Sequence, residues 1–124
     1  MADLTLQERF GSNVIFDESA KTILISLADL SDTGDMNTGY GLDTSSMTTT
    51  NKDEYSSKII YTLLGLSQQN QPADNNDETI GVFVTNEGKR SVTRNGVSQF
   101  GYRLVSTAYQ NDNLGVTIDP DAIA

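Results

Sequence analysis

Five oxygen-bearing side chains fall close together in one stretch: Asp29, Asp32, Asp35, Asn37 and Asp43. Carboxylates and amides at that density are the donor set of a hard cation such as Ca²⁺, which takes about six to eight oxygens. The regular version of such a site is not there. An EF-hand loop counted from Asp35 has Asn37 in place, but Gly39 stands where an acid or amide belongs, Tyr40 where the glycine belongs and Ser46 where the closing Glu belongs. An irregular site on Asp32, Asp35 and Asn37 is the alternative to a solvated turn, and no cofactor is expected. The chain contains no Cys and no His. Thiolate and imidazole metal sites, Cys nucleophiles, Ser-His-Asp triads and disulfide frameworks are therefore excluded.

The same stretch holds Asp32-Thr33-Gly34, the tripeptide of aspartic proteases. Those enzymes pair two such Asp side chains so that like charges raise one pKa. They carry apolar strand residues before the tripeptide and a small residue after it. Here Leu30-Ser31 precedes and Asp35 follows, and the expectation is no enzyme. Gly39-Tyr40-Gly41 lacks the further glycines and the Lys-Ser/Thr of a phosphate-cradling loop.

The 124 residues carry 17 acids and 8 bases, a net charge of −9, with a pI near 4.1. A surface that displaces counterions from nucleic acid, or adheres to anionic lipid, needs clustered Lys and Arg. No nucleic-acid partner and no membrane partner are expected, and no apolar run approaches the roughly 18–20 residues of a membrane span. The charge is unevenly placed. Residues 86–109 hold Lys89, Arg90, Arg94 and Arg103 against the single acid Glu87, whereas residues 1–50 hold eight acids and two bases. That asymmetry suits head-to-tail contacts between subunits. The alternative is that the bases pair with the chain's own acids. The candidate interface residues are Leu6, Phe10, Tyr40, Lys89, Arg90, Arg94 and Arg103.

Several elements must position these groups. Thr5 and Glu8 have capping-box spacing and Gly11 ends the turn, which predicts a short helix over 4–10 in an N-terminal arm of residues 1–11. Residues 13–17 and 22–27 read as a β-hairpin, with Ile23, Ile25 and Leu27 on one apolar face. Residues 28–50 form a long acidic, glycine-containing loop. Ordering it costs roughly 1–2 kcal/mol of backbone entropy per residue, and a partner chain or tight self-packing is the expected offset. Asn51 and Glu54 mark the start of the one main helix, about 51–69, striped by Tyr55, Ile59, Leu63 and Leu66 and widened by Ile60 and Leu64. Beyond a polar linker, a strand over 79–85 turns at Asn86-Glu87-Gly88 into a second strand over 90–94. Asn95-Gly96 is a strong hairpin signal. The following strand puts Phe100, Tyr102, Leu104 and Ala108 on one side, a face expected to be buried. Leu114, Val116 and Ile118 suggest a last short strand.

These elements predict one α+β domain spanning 1–124. It has a mostly antiparallel sheet of four to six strands, the main helix packed on one face, a short N-terminal helix and long polar loops.

Ser, Thr, Asn, Gln and Gly number 12, 14, 10, 6 and 10. That content, the missing Cys and His, the acidic composition and the arm Leu4-Thr5-Leu6-Gln7-Glu8-Arg9-Phe10 resemble small virion structural proteins of tailed bacteriophages and prophage-like elements of cyanobacterial type. The resemblance covers the whole chain as a general profile, without a diagnostic motif, and carries no functional residue over. It implies a non-enzymatic capsid cement, head-stabilising, tail or baseplate protein that contacts other protein subunits, as a homo-oligomer or with other virion proteins. It would be assembled in the host cytoplasm. The alternative is a small bacterial cytoplasmic domain that binds a ligand or protein, with Ca²⁺ in the 29–43 loop. No secretory leader is expected from Met1-Ala2-Asp3-Leu4, which lacks a basic start and an apolar core.

Overall fold

Helix α1 (Leu6–Phe10) forms because its N-terminus is closed twice. Thr5 Oγ1 accepts from the Glu8 amide at 3.1 Å, and Glu8 Oε1 accepts from the Thr5 amide at 3.0 Å. This is the expected capping box. Gly11 ends the helix at φ +109°, where any side chain is strained and would also meet Asp29. A computed structural model describes residues 3–32, 41–111 and 117–123 of the chain.

After α1, β1 (Ile15–Asp17) and β2 (Thr22–Leu24) pair antiparallel, with Ile15 opposite Leu24 and Phe16 opposite Ile23. The expected hairpin is present but shorter. Ile25 and Ser26 leave the strand and Leu27 opens a 3-10 turn, Leu27–Asp32. The expected face of Ile23, Ile25 and Leu27 therefore does not exist. A second 3-10 turn, Lys52–Tyr55, precedes the main helix α2 (Ser56–Asn70). Asn51 does not cap it. Its side chain is engaged backwards instead, accepting from the Thr48 amide at 2.7 Å and donating to the Ser46 carbonyl at 2.9 Å.

Strands β3 (Val82–Arg94) and β4 (Val97–Ala108) form one long antiparallel ribbon. The turn expected at Asn86-Glu87-Gly88 is a bulge within a continuous strand. Asn86 Oδ1 accepts from the Gly88 amide at 2.8 Å, and Gly88 takes φ +82°. The local bend is thus satisfied without reversing the chain. The reversal comes at Asn95-Gly96, both with positive φ as a type I′ turn requires.

The described residues are α+β, with one main helix and one short N-terminal helix, as expected. Their four strands are split into two separate two-stranded ribbons, where one sheet of four to six strands is expected from the sequence. Of the anticipated last strand, Ile118 is exposed and outside any strand, and Leu114 and Val116 lie outside the described residues.

Without one sheet, the core is divided. Leu4, Ile80 and Phe83 form one cluster, and Leu30, Leu42 and Tyr55 form another with Leu27, Met47, Ile59, Leu63 and Leu66 packed around it. Tyr55, Ile59, Leu63 and Leu66 form the expected stripe, but it covers the loop segments around Leu30 and Leu42, and Ile60, expected to widen it, is exposed. A neighbouring face of α2 meets β4 of the long ribbon, where Tyr61 and Tyr102 stack edge-on with ring centroids 6.4 Å apart.

The backbone of the Leu42 segment lies directly on that of Leu30. The Leu42 amide donates to the Leu30 carbonyl at 3.0 Å. Beside it, a Cβ on Gly41 would overlap the Ser31 carbonyl oxygen. We expect Gly41→Ala to cost roughly 1–3 kcal/mol, the range of overpacked sites. Urea unfolding of the two proteins checks this, and an unchanged midpoint would contradict the close approach.

Candidate subunit interface

The long ribbon changes character at its bulge. Below it, Phe83 and Val84 of β3 are buried. Val84 is 1% exposed. Its outer backbone edge is closed by the Gln71 side chain, which donates Nε2 to the Val84 carbonyl at 2.6 Å and accepts the Val84 amide at 3.0 Å. The amide side chain takes the place of a neighbouring strand. Beyond the bulge, every residue from 89 to 100 is exposed. This distal arm has two faces, fixed by the register. Arg90, Val92, Arg94, Val97 and Gln99 share one, and Lys89, Ser91, Phe100 and Tyr102 share the other.

Neither face of the arm is plainly polar. Phe100 is 71% exposed, Val97 55% and Val92 38%. Lys89 lies over the Phe100 ring, its ammonium 4.8 Å from the centroid. Arg94 donates Nε to Gln99 Oε1 at 2.8 Å. No acid occurs between residues 88 and 111. Arg103, nearer the base, pairs with Glu87 at 3.5 Å on the surface. The reading in which the bases pair with the chain's own acids therefore holds for Arg103. Among the described residues, Lys89, Arg90 and Arg94 make no ion pair.

The β1–β2 ribbon is the second exposed apolar feature. Every residue from 15 to 24 is exposed, and these include Ile15, Phe16, Ile23 and Leu24. Asp17 organises its turn: Oδ1 accepts from the amides of Ser19 and Ala20 and from the Ser19 hydroxyl, at 2.9–3.1 Å. The Ala20 amide, followed by the Ser19 hydroxyl, holds the Asp17 carboxyl below the usual carboxylate range.

The other sequence candidates are dispersed. Leu6 is on the exposed side of α1. Phe10 lines an apolar groove of about 240 Å³ with Ile60, Leu63 and Leu64 of α2 and Val82 and Val84 of β3. Arg9 also lines it, bonded through Nη2 to Asp3 at 2.8 Å, while its buried Nη1 has no partner among the described residues. Tyr40, Asp35 and Asn37, and the side chain of Asp32, lie outside the described residues. Of the remaining acidic candidates, Asp29 accepts two bonds from Asn13, at 2.8 and 2.6 Å. Asp43 accepts the Ser45 amide at 2.9 Å. Among the described residues no cluster of three metal-ligating side chains occurs, and no helix is long and apolar enough to cross a membrane.

The bases of the arm are visible in the sequence, whereas the exposure of the apolar residues beside them is not. Phe100 and Tyr102 do share a face, as expected, yet Phe100 is exposed rather than buried. One signal was available. Lys89 and Arg90 are adjacent, so a strand must send one cation to each face, and neither face of that segment can then be a core face.

Asp77 provides a stability test independent of the interface. Its carboxylate accepts from the Thr79 hydroxyl at 2.5 Å and the Thr79 amide at 2.9 Å, and these bonds lower its pKa. A group lowered in the folded state stabilises it above the unfolded pKa and loses that effect as pH falls through the folded one. Asp77→Asn should therefore be less stable than the parent at pH 7, and the gap should close as pH drops below about 3.9, the reference carboxylate value. Urea midpoints across pH measure the gap, and one that widens in acid would contradict this assignment.

No protein-family model, no curated protein and no solved structure matches the chain.

Proposed function

We propose that this chain is a non-enzymatic structural subunit that works through contacts with other protein subunits, of the kind that cements a phage-type head or builds a small part of a tail or baseplate. The observation that carries the reading is the distal arm. A two-stranded ribbon is marginal by itself in water. This one extends past its own core with Val92, Val97 and Phe100 exposed on it, together with Lys89, Arg90 and Arg94. Apolar side chains on an unsupported ribbon gain stability when another surface covers them, and patches of this kind mark contact sites. The polar, acidic remainder of the chain keeps contacts confined to such patches.

The reading also accounts for the divided core. Seven apolar side chains are buried among the described residues, whereas eleven large apolar ones are exposed. A subunit that completes its packing in an assembly shows that balance. The test is solution mass by light scattering over a range of concentrations, at low and high salt. Association that weakens with salt is expected, because the bases of the arm are exposed and screening acts on them directly. A protein that stays at 13.5 kDa at every concentration and salt would overturn self-assembly.

A further inference from the structure

The two exposed ribbons are complementary in chemistry. On β1–β2, Ile15, Leu24 and Asp17 share one face, since Ile15 is opposite Leu24 and Asp17 lies two residues from Ile15. On the arm, Val92 and Val97 share a face with Arg90 and Arg94. Each face thus sets two aliphatic side chains beside charge, cationic on the arm and anionic on β1–β2. The three bonds to Asp17 all reach Oδ1, and none engages Oδ2. The imbalance extends beyond the ribbons: the first 50 residues carry eight acids against two bases, and residues 88–111 carry no acid.

We propose that the distal arm of one copy docks on the β1–β2 ribbon of a second copy, Val92 and Val97 against Ile15 and Leu24, with Arg90 and Arg94 toward Asp17 and the acidic N-terminal half. This rests on the assembly reading above and names its contact. The two surfaces are different parts of the chain, so the contact is heterologous. Each added copy presents a fresh arm or a fresh ribbon, and the series extends or closes into a ring. Like-charge repulsion disfavours arm-on-arm pairing, which would bring six bases together without an acid.

Two variants test this by complementation. One carries Val92→Asp and Arg94→Glu on the arm, the other Ile15→Asp and Leu24→Asp on the ribbon. All four positions are exposed, and each variant keeps one working half that reports its folding. Each alone should remain at 13.5 kDa by light scattering. Their equimolar mixture should give a species of twice that mass that grows no further with concentration. If the parent assembles but the ribbon variant assembles equally well alone, the contact is overturned while the assembly reading stands. The same holds if the mixture stays monomeric. If the parent never assembles, the contact and self-assembly are both overturned. A monomeric parent that instead captures a labelled single-stranded oligonucleotide, with capture lost in the arm variant, would assign the arm to an anionic polymer and overturn the proposal.

Discussion

Leu30→Ala will lower the unfolding free energy by about 3 kcal/mol, within the range of roughly 2–5 kcal/mol found when a buried Leu is cut to Ala. Leu30 is fully buried, and its cluster is the larger of the two cores. The cost depends on how far the surroundings can collapse into the space. Here they are held apart. Leu42 is fixed by the hydrogen bond its amide donates to the Leu30 carbonyl, and Gly41 already lies against the Ser31 backbone. The 3-10 turn carrying Leu30 is tied at its other side, where Asp29 holds the Asn13 segment. Domains of this kind have about 5–15 kcal/mol in total, so one truncation removes a large share. Leu6→Ala is the control: Leu6 is 42% exposed, and its loss should cost less than about 1 kcal/mol, near the range for surface sites. Urea denaturation of the three proteins checks both values. Equal midpoints for the two variants would contradict the placement of Leu30.

Shortening the arm will separate folding from assembly. Removing residues 91–94 and 97–100 leaves Asn95-Gly96 to close the Arg90–Gly101 pair. Four residues leave each strand, so pairing type and side-chain faces are preserved. All eight deleted residues are exposed, and the Tyr61–Tyr102 contact and the Gln71 closure at Val84 remain. The unfolding free energy of the monomer should change by less than about 1 kcal/mol. Association should be lost, because Val92, Val97, Phe100 and Arg94 go together. Burial of such side chains contributes about 1.5–3 kcal/mol each, so losing the two valines of the docking face should weaken contact by about a hundredfold or more. Thermal unfolding and light scattering on the same samples measure the two effects. A trimmed chain that unfolds far more readily would show that the arm supports its own core instead.

The parts of this fold that were legible in the sequence are those fixed locally. The Thr5–Glu8 capping box, the Asn95-Gly96 turn and the stripe on α2 each depend on residues within a few positions of one another. Where distant partners decide, local spacing carries no signal. Alternating apolar residues in β1, β2 and the arm have the period of half-buried strands, but period alone does not show whether a third strand or a helix covers them. Ile15, Phe16, Val97 and Phe100 carry that pattern and lie exposed. Asn51 had the residue type of a helix cap and was taken by Thr48 and Ser46. Gln71, which closes the β3 edge thirteen residues away, sits in a stretch that reads only as polar linker. Of the candidate interface, the basic cluster was visible as a composition bias. Its apolar companions emerged only once the register placed them on the same faces.

Coverage of the arm by another subunit is read out by amide hydrogen exchange at residues 89–100. The exchange would be followed below and above the concentration at which the mass rises. In the dilute monomer these amides should exchange quickly, since the ribbon there is exposed on both faces and local opening costs little. Protection should rise with concentration at the arm and at residues 15–24, and fall again in high salt. Exchange at the arm that is the same at every concentration, while the mass increases, would show that assembly leaves the arm uncovered.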